Sequence, residues 1–291
     1  MLVRSRVVAL HTEGRRVTGV ELADGRMLRA KTVISAIHPA ETFRLIGPTP
    51  VIRKAFREEI PDTTKIIIAQ RVSSIENADQ IIVLDVGSLP DSYGLFSAYL
   101  LLKPGRIPYL NRNLYYFAGK DVWKTLFDLE AMRPGMVLLS AQAPDGDPAW
   151  CDVVTLMTPV ATRPWEAWEG SVPGRRPEAY TALKAAMTQA TVDFACARLP
   201  ELRDAIAHTY AATPLTYRHY TGAPHGAAYG LLKDWRSIMA SHIPARTKFE
   251  NLLLTGQNLT VHGAIGVTLS AAATCSEIVG TEYLAKKIAN A

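Results

Sequence analysis

The stretch of this sequence best suited to chemistry lies near its C-terminal end, where a short apolar run meets a glycine-containing loop and a helical pattern. Gly256 follows the apolar run, and Gly263 and Gly266 bracket the predicted start of the helix. A glycine at the end of a strand lets the backbone approach a ligand, and a helix start offers free N–H groups and the positive end of the helix dipole. Such an end suits a phosphate or the negative edge of a reduced flavin. On spacing alone, an ordinary capped helix after a strand is the simpler interpretation.

Three other groups of polar residues have simpler explanations than a chemical site. The candidate metal ligands lack the spacing of a metal site, the candidate nucleophiles do not lie in a GxSxG elbow, and the acidic pair is typical of a plain turn. The sequence therefore predicts no metal site and no hydrolase chemistry, and it identifies no catalytic residue. The residues concerned are His208, His219 and His225 for a metal, Ser270 and Ser276 for a nucleophile, and Asp145 and Asp147 for calcium.

Aromatic residues in the middle of the chain allow two interpretations. They can line an apolar tunnel for a polyene, or they can pack in a core, which is the more common fate of such side chains. The aromatic residues concerned are Tyr115, Tyr116, Phe117, Trp150, Trp165 and Trp168.

The composition indicates a globular protein with a real core. Of the 291 residues, 48% are hydrophobic and 20% are charged. The net charge of +5 comes from scattered basic residues rather than a stripe, which argues against nucleic-acid binding. The widely spaced Cys151, Cys196 and Cys275 form no disulfide framework and predict buried thiols in a reducing compartment. No apolar run long enough for a membrane span and no signal peptide is visible, so we predict a cytoplasmic protein, with peripheral membrane contact left open and no indication of oligomeric state.

The apolar pattern predicts a chain that mixes strands and helices. Period-two patterns and turn signals such as Asp24-Gly25 predict an antiparallel meander near the N-terminus, followed by a buried strand and a mixed central region. The predicted strands cover residues 7–10, 17–22, 27–30, 32–36, 64–70, 80–85, 93–103, 113–117, 136–141, 153–160 and 251–255.

Three helices are indicated by proline and glycine signals and by apolar spacing. Pro39 opens a short helix that ends before Gly47, and a longer helix lies between Pro177 and Pro200. A third and long helix is predicted over 264–288. The middle helix carries apolar residues at steps of three and four, which is typical of core packing. This stripe consists of Tyr180, Leu183, Met187, Ala190 and Phe194.

The literal residues of the C-terminal stretch resemble a known cofactor motif. TGQN at 255–258 followed by HGAIGVTLSAA at 262–272 is similar to the C-terminal FAD motif of the flavoproteins that include phytoene desaturases, carotenoid isomerases and retinol saturases. Further stretches agree with that family, and together the resemblance covers about 1–57 and 89–291. These stretches are VTGVELADG at 17–25, VISAIHP at 33–39, TPLTYR at 213–218, TGAPHGAAYG at 221–230 and RTK at 246–248.

The resemblance implies an α/β fold of mixed α+β character. Residues 1–50 and 247–291 would form a partial FAD/NAD(P)-binding, Rossmann-like domain, and 51–246 an inserted mixed-sheet substrate domain. The activity implied is hydride transfer at a flavin, on carbon–carbon bonds of an apolar polyene such as a carotenoid or retinoid.

The resemblance also implies roles for individual residues. Val7 would hold the FAD adenine through its backbone, and Gly256 and Gln257 would lie by the pyrophosphate and ribityl chain. His262 could donate to the cofactor. The remaining assignments are Gly263, Ala264, Ile265 and Gly266 at the flavin end, and Tyr229, Gly230 and Trp165 toward the substrate.

Two features depart from the family pattern. The sequence contains no GxGxxG turn, so it resembles the C-terminal portion of a longer enzyme, and FAD binding by this chain alone is in doubt. Residues 55–88 instead resemble the nucleotide-binding domain of ABC exporters around its switch histidine, with Gln70 at that position. Without a Walker A loop or a Walker B carboxylate this segment cannot hydrolyse ATP, and we interpret it as an insertion.

Two hypotheses about function therefore remain open. The first is a flavoprotein oxidoreductase, or the C-terminal part of one, that saturates, desaturates or isomerises a polyene. The second is a chain without cofactor or catalysis that keeps at most an apolar lipid-binding cleft. The missing GxGxxG favours the second hypothesis, and the intact TGQN and HGAIG strings favour the first.

Overall fold

The computed structural model describes residues 5–46, 89–144, 149–237 and 241–290, which form a mixed α/β structure with three sheets. These residues divide into two compact units: unit 1 lies within 1–90 and 229–291, and unit 2 spans Asp91–Ala228. Residues 229–246, which we predicted in the substrate domain, pack within unit 1, where Ile243 and Ala245 share a core with Leu254. The assignment of cofactor and substrate roles to the two units stays a prediction.

Unit 1 begins with the predicted antiparallel meander, which is confirmed. It consists of β1 (Val7–Glu13), β2 (Arg16–Leu22) and β3 (Met27–Leu28). Gly25 forms the second turn with a φ of +84°, a left-handed conformation that glycine adopts without strain.

A two-stranded parallel sheet follows, made from segments far apart in sequence. β4 (Val33–Ser35) lies beside β10 (Leu252–Leu254), with Ser35 opposite Leu254, so the carboxyl ends of both strands are adjacent. Asn251 joins this sheet to the meander, because its side chain accepts a hydrogen bond from the Val17 N–H at 2.8 Å and donates one to the Val17 carbonyl at 2.9 Å. The predicted first helix is α1 (Pro39–Ile46).

The prediction of one long C-terminal helix over 264–288 is wrong in its continuity, because the structure has two helices there. Gly280, with a φ of +88°, separates Gly263–Val279 from Thr281–Ala289. The first of these, called α7 below, buries only Gly266, Ser270 and Thr274. This four-residue spacing makes a narrow stripe along one face.

Unit 2 is built on one five-stranded antiparallel sheet, in the order β6-β7-β8-β5-β9. Four of its strands were predicted and are confirmed. The fifth, Ile206–Ala212, was missed because it is a largely exposed edge strand with little apolar alternation. The strands are β5 (Gly94–Leu102), β6 (Leu114–Phe117), β7 (Met136–Gln142), β8 (Val153–Val160) and β9 (Ile206–Ala212).

One long helix covers this sheet. α4 (Glu178–Cys196) packs on β5, β7 and β8, and its predicted stripe is buried or half-buried, which confirms core packing. The shorter helices of unit 2 are α2 (Val122–Phe127), α3 (Arg163–Glu166), α5 (Glu201–Ala205) and α6 (Pro214–Thr221). The last two helices of the chain are α7 (Gly263–Val279) and α8 (Thr281–Ala289), in unit 1.

Several predictions fall outside the described residues, namely the strands at 64–70 and 80–85, the proposed insertion at 55–88, and Asp145 with Asp147. Of the cysteines, Cys151 and Cys196 are buried as predicted, whereas Cys275 is exposed. The prediction of three buried thiols is therefore wrong for Cys275, because α7 buries a different face.

Within the described residues, the helices are too short or too polar to cross a membrane.

Candidate functional site

The candidate site in unit 1 is the segment 256–266, here called the glycine loop, which connects β10 to α7. It starts where the two parallel strands end, since the Thr255 N–H donates to the Ser35 carbonyl at 2.9 Å. Gly256 follows with a φ of +101°, and a side chain there would lie 3.5 Å from the Ala36 carbonyl. The loop thus leaves the sheet at its carboxyl edge, which is where ligands bind in open α/β sheets.

The start of α7 is open to a ligand. The N-cap residue His262 makes no side-chain cap, and Gly263 has a φ of +77° with no atom within 4 Å of the position a Cβ would take. Ala264 is exposed, and Ile265 is 78% exposed. The first N–H groups of the helix are therefore free of side-chain caps, and they can hold a negative group.

Two of the predicted cofactor glycines make contacts within the protein itself. The Gly256 N–H already donates to the Oγ of the buried Ser270 at 2.9 Å, so Ser270 is a structural acceptor for this N–H. At Gly266, a Cβ would lie 2.2 Å from the Val261 carbonyl oxygen. The lack of a side chain at Gly266 is thus required by the protein's own backbone, and a contact of Gly266 with the flavin stays a prediction.

Two residues without an assigned role hold the glycine loop in place. Lys233 Nζ donates to the carbonyls of Ser241, Asn258 and Leu259, at 2.5, 2.6 and 3.3 Å. The side chain of the buried Asn258 accepts from the Leu231 N–H at 2.9 Å. Sequence reasoning missed Lys233 because a single lysine in an irregular segment carries no pattern. Asn258 was visible only as the last letter of TGQN.

The electrostatics of this loop are dominated by Lys233. Burial lowers the pKa of Lys233 to about 8, so the side chain is mostly protonated at pH 7. Burial, and then the positive charge of Lys233, lower the pKa of His262 below its ordinary value. At pH 7 His262 is therefore neutral, and its buried Nδ1 has no hydrogen-bond partner among the described residues.

The predicted substrate residues Tyr229 and Gly230 lie in the same unit as the glycine loop. The Tyr229 ring is 5.1 Å from the His262 ring, measured between centroids. Gly230 has a φ of +67°, and a Cβ there would lie 2.0 Å from Asn258 Oδ1. Glycine at 230 is thus required by the side chain that supports the loop, and a contact of either residue with substrate stays a prediction.

The other predicted residues are placed as follows. Val7 lies at the start of β1 opposite Leu22, with its side chain against the core of unit 1, and Gln257 is half-buried in the glycine loop. Trp165 belongs to unit 2, where it is fully buried, stacks on Phe96 at 6.2 Å and meets the edge of Tyr180 at 5.9 Å. Its role toward a substrate stays a prediction.

The tunnel interpretation for the aromatic residues gains no support from these contacts. Trp165 and Trp168 pack with the cluster around Phe96, whereas Tyr116 packs against a different cluster of unit 2. The candidate metal ligands form a separate question. His225 Nδ1 lies 3.1 Å from Glu169 Oε1 and 3.6 Å from Glu166 Oε1. In the part of the chain that the structure describes, no group of three or more His, Cys, Asp or Glu side chains is arranged to hold a metal.

Gly230→Ala should destabilise the chain more than an alanine at an open left-handed glycine. At Gly174 (φ +83°, nothing within 4 Å) the substitution adds backbone strain alone, about 1–2 kcal/mol. At Gly230 it also displaces Asn258 and its hydrogen bond to Leu231, which adds about 1–3 kcal/mol of overpacking. Urea unfolding of both variants measures the difference, and equal stabilities would contradict the role of Asn258.

No protein-family model matches the chain. Among curated proteins it is similar to all-trans-retinol 13,14-reductase of Homo sapiens, with 26% identity over 212 residues, which are 67% of this chain and 34% of that protein. It is also similar to the protein of the same name from Macaca fascicularis, with 31% identity over 143 residues, 46% of this chain and 23% of that protein. Among solved structures it is similar to an oxidoreductase from Methanosarcina mazei, with a TM-score of 0.47, 13% identity, and coverage of 94% of this chain and 49% of that one.

The similarities to curated proteins agree with one part of the resemblance that we described from the sequence. The curated relatives support a likeness to retinol saturases, and they give no support to the ABC-exporter resemblance of residues 55–88. The chain spans about a third or less of the length of the curated relatives it matches.

Proposed function

We propose that this chain is part of a flavin-dependent oxidoreductase that acts on a carbon–carbon bond of a retinoid or a related apolar polyene. The names of the curated relatives support the substrate class. The observation that carries the proposal is the start of α7, which presents N–H groups without side-chain caps beside the carboxyl ends of two parallel strands. That arrangement is typical of a Rossmann-like dinucleotide site, to which we assign unit 1.

The described residues fit FAD at its flavin end. The N–H groups of Ala264 and Ile265 and the Nδ1 of His262 are the groups that would hold it there, with Gln257 beside the ribityl chain. When bound, FAD supplies hydride transfer at its N5 atom. Lys233 adds a positive charge that favours an anionic flavin, and the neutral His262 can exchange a hydrogen bond without adding charge. The Tyr229 ring beside His262 offers an apolar surface to a polyene.

A second candidate, a cofactor-free chain with an apolar cleft, is favoured by one observation. The glycine loop already uses one of its own donors, because the Gly256 N–H donates to Ser270 Oγ. Together with the missing GxGxxG, this leaves few groups for the pyrophosphate. The two candidates therefore differ in whether the chain binds FAD at all.

Ile265→Glu should weaken FAD binding without destabilising the chain. Ile265 is exposed in the first turn of α7, so a carboxylate there repels the negative edge of the flavin, while an acid in the first turn stabilises the helix. We expect weak binding by the original chain, with the flavin lost on desalting, and binding at least about tenfold weaker in the variant. Fluorescence anisotropy during a titration with FAD measures both.

Two variants act as controls for this titration. Ile265→Lys should bind FAD as well as the original chain or better, and Ile278→Glu, an exposed position at the opposite end of α7, should leave binding unchanged. If Ile265→Glu binds as tightly as the original chain, α7 does not hold the cofactor. If the original chain shows no binding at about millimolar FAD, the cofactor-free candidate is correct.

A further inference from the structure

Unit 2 contains a small cavity away from the glycine loop in sequence, between the start of α4 and the end of α6. Its volume is about 290 Å³, at the low end for ligand sites, so it suits a small group rather than a whole cofactor. The polar side chains that line it include Arg176, Thr181, Lys184, Thr216 and His219.

Arg176 is held in a fixed position at this cavity. Its guanidinium lies over the Tyr180 ring, 4.6 Å from the ring centre, and its Nη2 donates to the Leu215 carbonyl at 3.4 Å. Its Nη1 is buried and has no acceptor among the described residues. A buried donor of a charged group without an acceptor is costly, and a bound acceptor removes that cost.

The cavity also has an excess of positive charge. Lys184 lines it from the second turn of α4, and no carboxylate of the described residues forms an ion pair with either Arg176 or Lys184. Glu178, in the first turn of α4, does not line the cavity. The N-terminal end of α4 adds the positive end of its dipole, and its N-cap Pro177 makes no side-chain cap. Among the described residues, two cations without a carboxylate partner thus line one small space.

We propose that this cavity binds an oxyanion, the carboxylate or phosphate group of a small ligand. Arg176 presents its planar donors to two oxygens, as guanidinium groups do with carboxylate and phosphate. Lys184 contributes a point charge, and Thr216, whose hydroxyl accepts from the Thr213 N–H and keeps its own proton to donate, lines the same cavity. This site does not depend on the glycine loop or on a flavin.

Titration of the purified chain with inorganic phosphate and, separately, with acetate tests the proposal. At pH 7 and constant ionic strength, calorimetry or NMR should show saturable binding of at least one anion. Arg176→Met should weaken it by about tenfold or more, and Lys184→Met by a smaller factor. Arg175→Met is the matched control, because Arg175 is the exposed neighbour that does not line the cavity.

The outcome of these titrations identifies the anion that binds or contradicts the proposal. Saturation by phosphate alone identifies a phosphate site, and saturation by acetate alone a carboxylate site. Equal loss of binding in Arg175→Met and Arg176→Met, or binding that does not saturate, overturns the proposal, since it would then reflect general surface charge. Should Arg176→Met unfold through loss of its contact with Tyr180, Lys184→Met and Arg176→Lys, which keeps the charge without the planar fork, decide in its place.

Discussion

Gly266→Val should lower the stability of the chain by about 3 kcal/mol or more, whether or not a flavin is present. A Cβ at this position would lie 2.2 Å from the carbonyl oxygen of Val261 and 2.5 Å from its carbonyl carbon. Both atoms belong to the backbone of the glycine loop, so the clash cannot be relieved by turning a side chain. Urea or thermal unfolding followed by circular dichroism measures the loss.

The matched control for this variant is Cys275→Ser, on an exposed face of the same helix. We expect its stability to stay within about 0.5 kcal/mol of the original chain. If Gly266→Val instead unfolds like the original chain and loses only flavin binding, then the space at Gly266 serves the cofactor, as the spacing of the glycines first indicated.

Lys233→Met should destabilise the chain by about 1–3 kcal/mol at pH 7, because it removes the Nζ hydrogen bonds to the carbonyls of Ser241 and Asn258. The carbonyl of Leu259 is less affected, since it also accepts from the Ile243 N–H at 2.9 Å. Chemical denaturation measures the loss. Lys286→Met, which removes an exposed lysine that pairs with Glu282 on α8, should cost less than about 0.5 kcal/mol.

The contribution of Lys233 should also depend on pH, with a defined sign. The folded chain releases this proton near pH 8, whereas the ordinary lysine pKa is 10.5. Between these values the unfolded chain binds more protons, so the free energy of unfolding of the original chain rises with pH relative to that of Lys233→Met. A difference that falls or stays constant over this range would contradict the buried position of the amine.

An NMR titration of His262 gives an independent measure of the same charge. Removing the ammonium of Lys233 leaves only burial to lower the pKa of His262. That pKa should therefore rise toward its ordinary value in Lys233→Met and stay unchanged in Lys286→Met. An unchanged pKa in both variants would show that Lys233 does not act on the glycine loop through its charge.

The parts of the fold that sequence reasoning predicted are those with local causes. The meander follows from alternating apolar residues and from the turn at Asp24-Gly25, and α4 follows from its stripe and from Pro177. The missed edge strand β9 lacks such a pattern, because most of its residues are exposed. The break at Gly280 was visible as a glycine, but the apolar residues on both sides resembled one continuous helix.

The candidate site was located by sequence but not explained by it. Gly256, Gly263 and Gly266 look alike in the sequence, yet only Gly263 faces open space. Gly256 has a left-handed φ of +101° and donates its N–H to Ser270, and Gly266 lies against the Val261 carbonyl, through contacts that depend on how α7 folds back on β10. Lys233 acts through carbonyl groups of residues distant in sequence, which no residue pattern records.

Residues near the two ends of unit 2 are hydrogen-bonded to each other, and this contact affects the order in which the chain folds. The Ala228 N–H donates to the Tyr93 carbonyl at 2.9 Å, and Gly94 bridges to Ala227, so unit 2 brings its own first and last residues together. Unit 2 is one continuous segment and can fold as soon as it is synthesised. Once folded, it shortens the effective loop between β4 and β10, which lowers the entropic cost of pairing these strands. We therefore expect unit 2 to form first and the parallel sheet of unit 1 to form last.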